Sequence, residues 1–197
     1  MANLQISMRE TELILQELAK TINLAGDVVE MGCYMGDTSV LLAEALKNSP
    51  DKWLYLYDSF EGLPEKTVKD QSASGWRFKA GELQASPDTV AHKFKKLSLP
   101  EPVIIKKWFD QLEDADLPSR IAFALLDGDF YQSIKVSFEK IAPRLVDGGI
   151  VVVHDYRNAD LPGVAKAVDE FIESHANDYA FRLRATLAIL EKNKTTH

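Results

Sequence analysis

Two short acidic clusters follow apolar runs in this sequence, and both contain residue types that can do chemistry. Asp127 and Asp129 come directly after one apolar run. His154 and Asp155 come directly after the next one. Uninterrupted apolar runs are typical of strands buried on both faces of a parallel sheet, where ligands collect at the carboxyl ends of the strands. Carboxylates and an imidazole at such an edge are the donors that a divalent metal ion takes.

A second pair of acids, Glu30 and Asp58, also follows apolar runs. Gly32 and Gly36, in the loop after Glu30, let the backbone approach a ligand closely, but their spacing fits neither a pyrophosphate-binding nor a triphosphate-binding loop. A carboxylate at the start of this loop would repel a pyrophosphate, whereas it suits a cation such as the ammonium and sulfonium of S-adenosylmethionine. Asp58 has the position of an acid that accepts hydrogen bonds from both ribose hydroxyls.

Each of these residues also has a purely structural interpretation. Glu30 alone could be a buried acid that bonds the backbone, and Asp58 alone could begin a turn; their joint placement favours a nucleoside site. Tyr34 and Trp108 could offer aromatic faces to adenine or to a cation, or could lie at the edge of the core. Cys33 is interpreted as a small loop hydrophobe, because no histidine stands near it in the sequence.

The order of predicted strands and helices determines where these residues lie. The capping box of Ser7 and Glu10 opens an amphipathic helix, and five strand-helix repeats follow. Gly148 and Gly149 are expected to turn the chain before the fifth strand. Two closing strands with a short joint predict an antiparallel hairpin at the sheet edge, which distinguishes the seven-stranded methyltransferase plan from the ordinary dinucleotide fold. The predicted fold class is α/β, with a doubly wound, mostly parallel, Rossmann-like sheet of seven strands.

Length and composition limit the class of protein. The chain has 197 residues, 46% hydrophobic and 27% charged, which predicts one folded domain over residues 1–197. A formal net charge of -7 disfavours a nucleic acid as partner. No run approaches the roughly 20 apolar residues of a membrane span, and the amino terminus lacks the pattern of a signal peptide. With a single cysteine, which fits a reducing compartment, we expect a cytoplasmic protein with no membrane partner.

The segment of residues 59–85 is long and carries no clear helix or strand pattern. It contains Pro64 and several glycines, but also Phe60, Trp76 and Phe78. Long loops inside compact domains are usually functional lids or disordered. The aromatic residues favour a lid.

Several motifs stand in a definite order between about residues 28 and 171. They are Val29-Glu30-Met31-Gly32, the segment from Asp58 to Pro64, Gly81-Glu82-Leu83, Trp108-Phe109, the segment from Leu126 to Ser133 and the segment from Gly148 to Tyr156. In this order they resemble the macrocin O-methyltransferase (TylF-like) family. The resemblance implies a class I methyltransferase that uses S-adenosylmethionine to methylate a hydroxyl of a small molecule, such as a sugar of an antibiotic. It implies a cofactor site at Glu30, Met31, Gly32, Cys33, Tyr34, Asp58, Ser59, Phe60, Trp108, Phe109 and Asp127.

The resemblance also assigns chemical roles. It makes Asp127, His154 and Asp155 the metal ligands and Asp129 the general base. This chain departs from the family pattern, which has two adjacent acids where His154 and Asp155 stand. Magnesium prefers oxygen, whereas manganese, iron and zinc accept nitrogen readily. We expect a divalent ion, magnesium or manganese, while a metal-free site in which His154 handles the proton stays open.

Two further functions are compatible with the same residues. A nicotinamide-dependent oxidoreductase would share the early fold and the ribose acid. A non-catalytic domain would bind the nucleoside and leave the metal residues idle. Family members usually carry a longer amino-terminal region that helps pair subunits and cover the substrate, whereas this chain has about one helix before its first strand; a homodimer and a monomer both stay open. The acceptor is expected to be a small molecule with a hydroxyl, sugar-like or another secondary metabolite.

Overall fold

The structure is a computed structural model that describes residues 6–73, 75 and 77–195; Trp76 of the predicted lid lies outside them. Its centre is a seven-stranded sheet of order β3-β2-β1-β4-β5-β7-β6. The first five strands pair in parallel, and β7 runs antiparallel to β5 and β6, which confirms the predicted sheet and its closing hairpin. The strands are β1 (Asp27–Met31), β2 (Leu54–Asp58), β3 (Val103–Lys106), β4 (Ile121–Leu126), β5 (Leu145–Val153), β6 (Tyr179–Arg184) and β7 (Leu187–Lys192).

Helices cover both faces of this sheet. Residues of α1, α2 and α3 pack on one face, and residues of α4 and α5 pack on the other. All six residues of β4 are buried because this central strand is covered on both faces. None of the described helices is long and apolar enough to span a membrane. The helices are α1 (Met8–Thr21), α2 (Asp37–Leu46), α3 (Pro87–Lys96), α4 (Tyr131–Ile141) and α5 (Pro162–Ser174).

The prediction that Gly148 and Gly149 turn the chain before the fifth strand is wrong. Strand β5 already begins at Leu145, and both glycines lie inside it. Residues 145–150 of β5 pair with residues 121–123 of β4, so the extra residues form an irregularity in the ladder. Gly148, with φ of +75°, supplies the left-handed conformation that such a bulge takes.

The lid segment, residues 59–85, is anchored to the helices beside the site. The carboxylate of Asp70 is buried and accepts hydrogen bonds from the amide of Thr67 (2.8 Å) and from the amide of Tyr131 (2.7 Å) at the start of α4. The ammonium of Lys69 lies 3.9 Å from the centre of the Tyr131 ring. These contacts dock Lys69 and Asp70 onto the start of α4.

Candidate active site

A cavity of about 720 Å³ opens at the carboxyl ends of the parallel strands. Parallel strands deliver these ends to the same edge of a sheet, so residues distant in sequence meet there. The cavity lining includes all the acidic candidates together with the candidate histidine: Glu30, Asp58, Asp127, Asp129, His154 and Asp155.

Asp58, at the end of β2, fixes the glycine loop that follows β1. Its Oδ2 accepts hydrogen bonds from the main-chain amides of Cys33 (3.0 Å) and Tyr34 (2.8 Å). Its Oδ1 accepts one from the amide of Phe60 (2.7 Å). A carboxylate has about four acceptor positions, so one remains for a ribose hydroxyl. If Asp58 accepted hydrogen bonds from both ribose hydroxyls, as predicted, it would have to lose one of its three hydrogen bonds from main-chain amides.

Glu30 lines the same cavity and is almost fully buried. The hydroxyl of Ser39 on α2 donates a hydrogen bond to its carboxylate. Burial raises the pKa of Glu30 to about 8; the bond from Ser39 opposes this shift, and the charges of Asp127 and Asp58 add to it. The side chain is therefore mostly protonated at neutral pH. A cation placed beside it would favour the ionised form.

Two of the predicted cofactor residues do not line the cavity. Met31 is fully buried in the core cluster under α4 and α5, because side chains alternate along β1 and Glu30 faces α2. Phe60 is buried in the core cluster on the other face, and only its amide takes part, as donor to Asp58. The other predicted residues lie in the lining: Gly32, Cys33, Tyr34, Ser59, Trp108 and Phe109.

Cys33 is a buried thiol within this loop. Burial raises the pKa of Cys33 well above its ordinary value, and the charges of Asp58 and Glu30 add to the shift. A thiol that keeps its proton is a poor nucleophile. Cys33 therefore has the properties of a small hydrophobe.

Asp127, His154 and Asp155 come together at the ends of β4 and β5. Nδ1 of His154 lies 3.0 Å from Oδ1 of Asp127 and 3.1 Å from Oδ2 of Asp155. One ligand atom from each residue lies within 4.8 Å of the others. Asp129 and Asp155 both have φ of +59°, in the left-handed region. Such strain costs about 1–3 kcal/mol in a non-glycine residue and clusters at functional sites.

The environment of the cluster shifts the pKa of His154 and of Asp129. Burial opposes protonation of His154, but the surrounding carboxylates, first Asp127, outweigh burial and raise the pKa of His154 well above its ordinary value. Burial raises the pKa of Asp129 well above its usual range, and the charges of Asp127 and Asp155 add to the shift. The direction of the His154 shift makes the imidazole a cation at neutral pH.

The three clustered residues fit a divalent metal ion. Nδ1 of His154 faces one carboxylate oxygen of Asp127 and one of Asp155, so the three residues turn their donor atoms toward each other. The donor set is one imidazole nitrogen and two carboxylate oxygens, which manganese, iron and zinc accept readily. The chemistry of the donors therefore favours such a transition metal over magnesium.

Glu10 also belongs to this site, although the sequence did not indicate it. Its Oε2 lies 3.9 Å from Nε2 of His154, the ring nitrogen on the side away from Asp127 and Asp155. The contact with His154 lowers the pKa of Glu10 far below its ordinary value, although burial opposes the shift. The predicted capping box of Ser7 and Glu10 is confirmed. The motif gave no signal for the second role, since only the fold brings α1 to the end of β5.

The chain is similar to O-methyltransferases in sequence. A family model described as macrocin O-methyltransferase (TylF) matches residues 7–181. The 8-demethyl-8-(2,3-dimethoxy-alpha-L-rhamnosyl)-tetracenomycin-C 4'-O-methyltransferase of Streptomyces olivaceus is 30% identical over 139 residues, which are 66% of this chain and 53% of that protein. The demethyldecarbamoylnovobiocin O-methyltransferase of Streptomyces niveus is 29% identical over 182 residues, which are 86% of this chain and 68% of that protein.

The chain thus spans about half the length of the first relative and about two thirds of the second. In structure, it is similar to the O-methyltransferase NovP, with a TM-score of 0.82 and 24% identity over 96% of this chain and 81% of that chain. This likeness shows the class I methyltransferase fold. Because the family model covers most of the sequence, the chain belongs to the macrocin O-methyltransferase (TylF) family.

Proposed function

We propose that this chain is an S-adenosylmethionine-dependent O-methyltransferase that methylates a hydroxyl of a sugar-like small molecule. The single observation that carries the proposal is that one cavity joins two sets of residues. The loop that Asp58 orders, together with Glu30, suits the nucleoside and the cationic part of the methyl donor. Asp127, His154 and Asp155 suit a divalent ion beside it.

The chemical difficulty of this reaction is the acceptor. An alcohol is almost fully protonated at neutral pH and is a weak nucleophile toward the sulfonium methyl group. A divalent ion held by Asp127, His154 and Asp155 would act as a Lewis acid that lowers the pKa of the hydroxyl and compensates the negative charge around Asp129. Asp129 lines the same cavity, and we assign to it the acceptance of the hydroxyl proton.

The protein itself supplies orientation and exclusion of water. The amides of Cys33 and Tyr34 are tied to Asp58, so the loop that contacts the donor is already ordered. The lid segment adds Phe78 and Leu83 to the cavity lining. Holding the methyl group and the oxygen in line removes much of the entropic barrier of a two-substrate displacement.

A metal-free mechanism with His154 as the base is disfavoured by electrostatics. An imidazole whose pKa is raised well above its ordinary value already carries its proton at neutral pH. It then has no free nitrogen to accept another proton. With a metal ion in the site, His154 would be one of the residues that hold it, and Asp129 would be the base.

The class of acceptor is inferred from the relatives. The names of the two curated relatives describe O-methylation of a rhamnosyl tetracenomycin and of demethyldecarbamoylnovobiocin. A cavity of about 720 Å³ has room for a small-molecule acceptor beside the donor. We therefore place the acceptor among glycosides and related secondary metabolites.

Methyl transfer from labelled S-adenosylmethionine to a panel of rhamnosides and other glycosides tests the proposal. The reaction is run with manganese, with magnesium and with EDTA. We expect a labelled methyl ether with manganese and a strong loss of product with EDTA. Equal product with and without EDTA would refute the metal-assisted mechanism, and reduction or oxidation of a nicotinamide dinucleotide with the same panel would refute methyl transfer.

A further inference from the structure

We propose that Glu10 is a positioning residue that fixes His154 in the one tautomer that can bind the metal ion. The inference rests on the proposed metal-assisted function and goes beyond it, because Glu10 contacts the metal site only through His154. The proposal is based on the position of the His154 ring. The two ring nitrogens of His154 face two different sets of carboxylates, with Asp127 and Asp155 on the Nδ1 side and Glu10 on the Nε2 side.

A neutral imidazole carries one hydrogen, on one nitrogen or the other. Nδ1 of His154 is the nitrogen aimed at the metal cluster, so His154 can be a ligand only when its hydrogen is on Nε2. Oε2 of Glu10 lies 3.9 Å from Nε2, and a shift of about 1 Å would give an ordinary N–H···O hydrogen bond. Metal-binding histidines commonly donate their other N–H to such a carboxylate, which orients the ring and raises its basicity.

Glu10 is held in place for this role. Its Oε2 accepts a hydrogen bond from the amide of Ser7 (3.2 Å), and its Oε1 accepts one from the hydroxyl of Thr186 in the turn between β6 and β7. The side chains of His154 and Glu10 are 7% and 13% exposed, so water screens their contact poorly. Ser7 before α1 and Thr186 between β6 and β7 therefore hold the carboxylate of Glu10 beside the ring of His154.

Glu10 is matched to a histidine at position 154 specifically. An aspartate at this position would put a second carboxylate on the side of the site that Glu10 faces. Like charges at such a distance repel, and the repulsion is large in a buried setting. Removal of the charge of Glu10 should therefore have opposite effects on metal binding with histidine and with aspartate at position 154.

Calorimetric titration with Mn²⁺ of four proteins tests this: the wild type, Glu10→Gln, His154→Asp and the double variant. We expect Glu10→Gln to weaken Mn²⁺ binding about 10- to 100-fold in the wild-type background. In the His154→Asp background the same change should tighten Mn²⁺ binding. Glu12→Gln, which removes the same charge from an exposed position of α1, is the matched control and should change the affinity less than about twofold.

If Glu10 acted only through the capping box, Glu10→Gln would change the affinity for Mn²⁺ in the same direction with histidine and with aspartate at position 154. That result would overturn the inference. Binding of S-adenosylhomocysteine by each variant reports that the fold is intact. If Glu10→Gln does not fold, Thr186→Val removes one hydrogen bond to Glu10 and should weaken Mn²⁺ binding in the same sense; unchanged affinity would again overturn the inference. Absence of Mn²⁺ binding by the wild type would refute the metal site of the proposed function itself.

Discussion

Gly32 packs directly against the main chain of Asp127, and this contact joins the two halves of the cavity. A Cβ at Gly32 would lie 2.1 Å from the carbonyl oxygen of Asp127, and Gly32 has φ of +94°. The amide of Asp127 also donates to the carbonyl of Met31 (2.8 Å). The loop after β1 and the group of Asp127, His154 and Asp155 are therefore held in fixed register.

Gly32→Ala should disturb both halves at once. The left-handed conformation and the collision with Asp127 together should cost about 3 kcal/mol of the free energy of unfolding, and affinity for S-adenosylhomocysteine should fall at least about tenfold. Gly81→Ala is the control, because Gly81 has φ of +80° but its Cβ would meet no atom closer than 3.8 Å. It should cost about 1 kcal/mol. Urea denaturation and calorimetry measure both effects; equal losses in the two variants would refute the contact argument.

Asp129→Asn should separate catalysis from binding. The amide cannot accept the hydroxyl proton as a carboxylate does, so turnover of an accepted glycoside should fall about 10²- to 10⁴-fold. Affinities for S-adenosylhomocysteine and for Mn²⁺ should stay within about threefold of the wild type, because Asp129 is neither a metal ligand nor a loop anchor in the proposed mechanism. Initial rates and calorimetry check the two halves of the prediction. Undiminished turnover would exclude Asp129 as the base.

Glu30 should make stability fall as the pH rises. Its pKa is about 8 in the folded protein against an ordinary value of 4.5, so between these values the folded state holds a proton that the unfolded state has lost. The contribution of Glu30 to stability is then largest below pH 4.5 and is lost toward pH 8, by about 1.4 kcal/mol for each unit of pKa difference at most. Glu30→Gln removes this slope. Urea unfolding at pH 5, 6.5 and 8 should show the two proteins diverging with pH, with the variant more stable at pH 8; parallel profiles would contradict the shift.

Asp70→Asn should loosen the lid segment. The side-chain amide of asparagine would place its NH₂ group against the main-chain amide of Thr67 or of Tyr131, both of which now donate to Asp70. Because Asp70 is only 1% exposed, the free energy of unfolding should fall by about 1–3 kcal/mol. Hydrogen exchange of residues 61–85 should accelerate, while exchange in the sheet stays slow. Glu170→Gln removes an exposed partner of Lys69 and should have a smaller effect. Equal exchange in wild type and Asp70→Asn would show that Asp70 does not anchor the lid segment.

The sequence predicts the sheet and most of the site for a physical reason. Parallel strands read as apolar runs, and their carboxyl ends meet at one edge, so the acids that follow those runs must lie together. Asp127, His154 and Asp155 follow this rule and form one cluster. The same reasoning does not tell which face of a strand a side chain occupies, and the side chain of Met31 lies in the core cluster under α4 and α5.

Residues whose role depends on long-range packing could not be predicted in this way. Glu10 reaches His154 only because α1 lies over the sheet beside β5, and Asp70 reaches the amide of Tyr131 only because the lid segment folds back over α4. The prediction of a turn at Gly148 failed because a glycine pair marks a turn more often than a bulge within a strand. Each of these depends on a contact between distant segments, for which local pattern carries no signal.

Calorimetric titration with S-adenosylhomocysteine and then with Mn²⁺ tests the central claim most directly, namely that one cavity holds the methyl donor and a divalent ion side by side. We predict one equivalent of the nucleoside and one equivalent of Mn²⁺ for the wild type. The variant Asp127→Asn with Asp155→Asn should still bind the nucleoside but should lose the Mn²⁺ signal. Failure of the wild type to bind the nucleoside, or an unchanged Mn²⁺ signal in the double variant, would contradict the account.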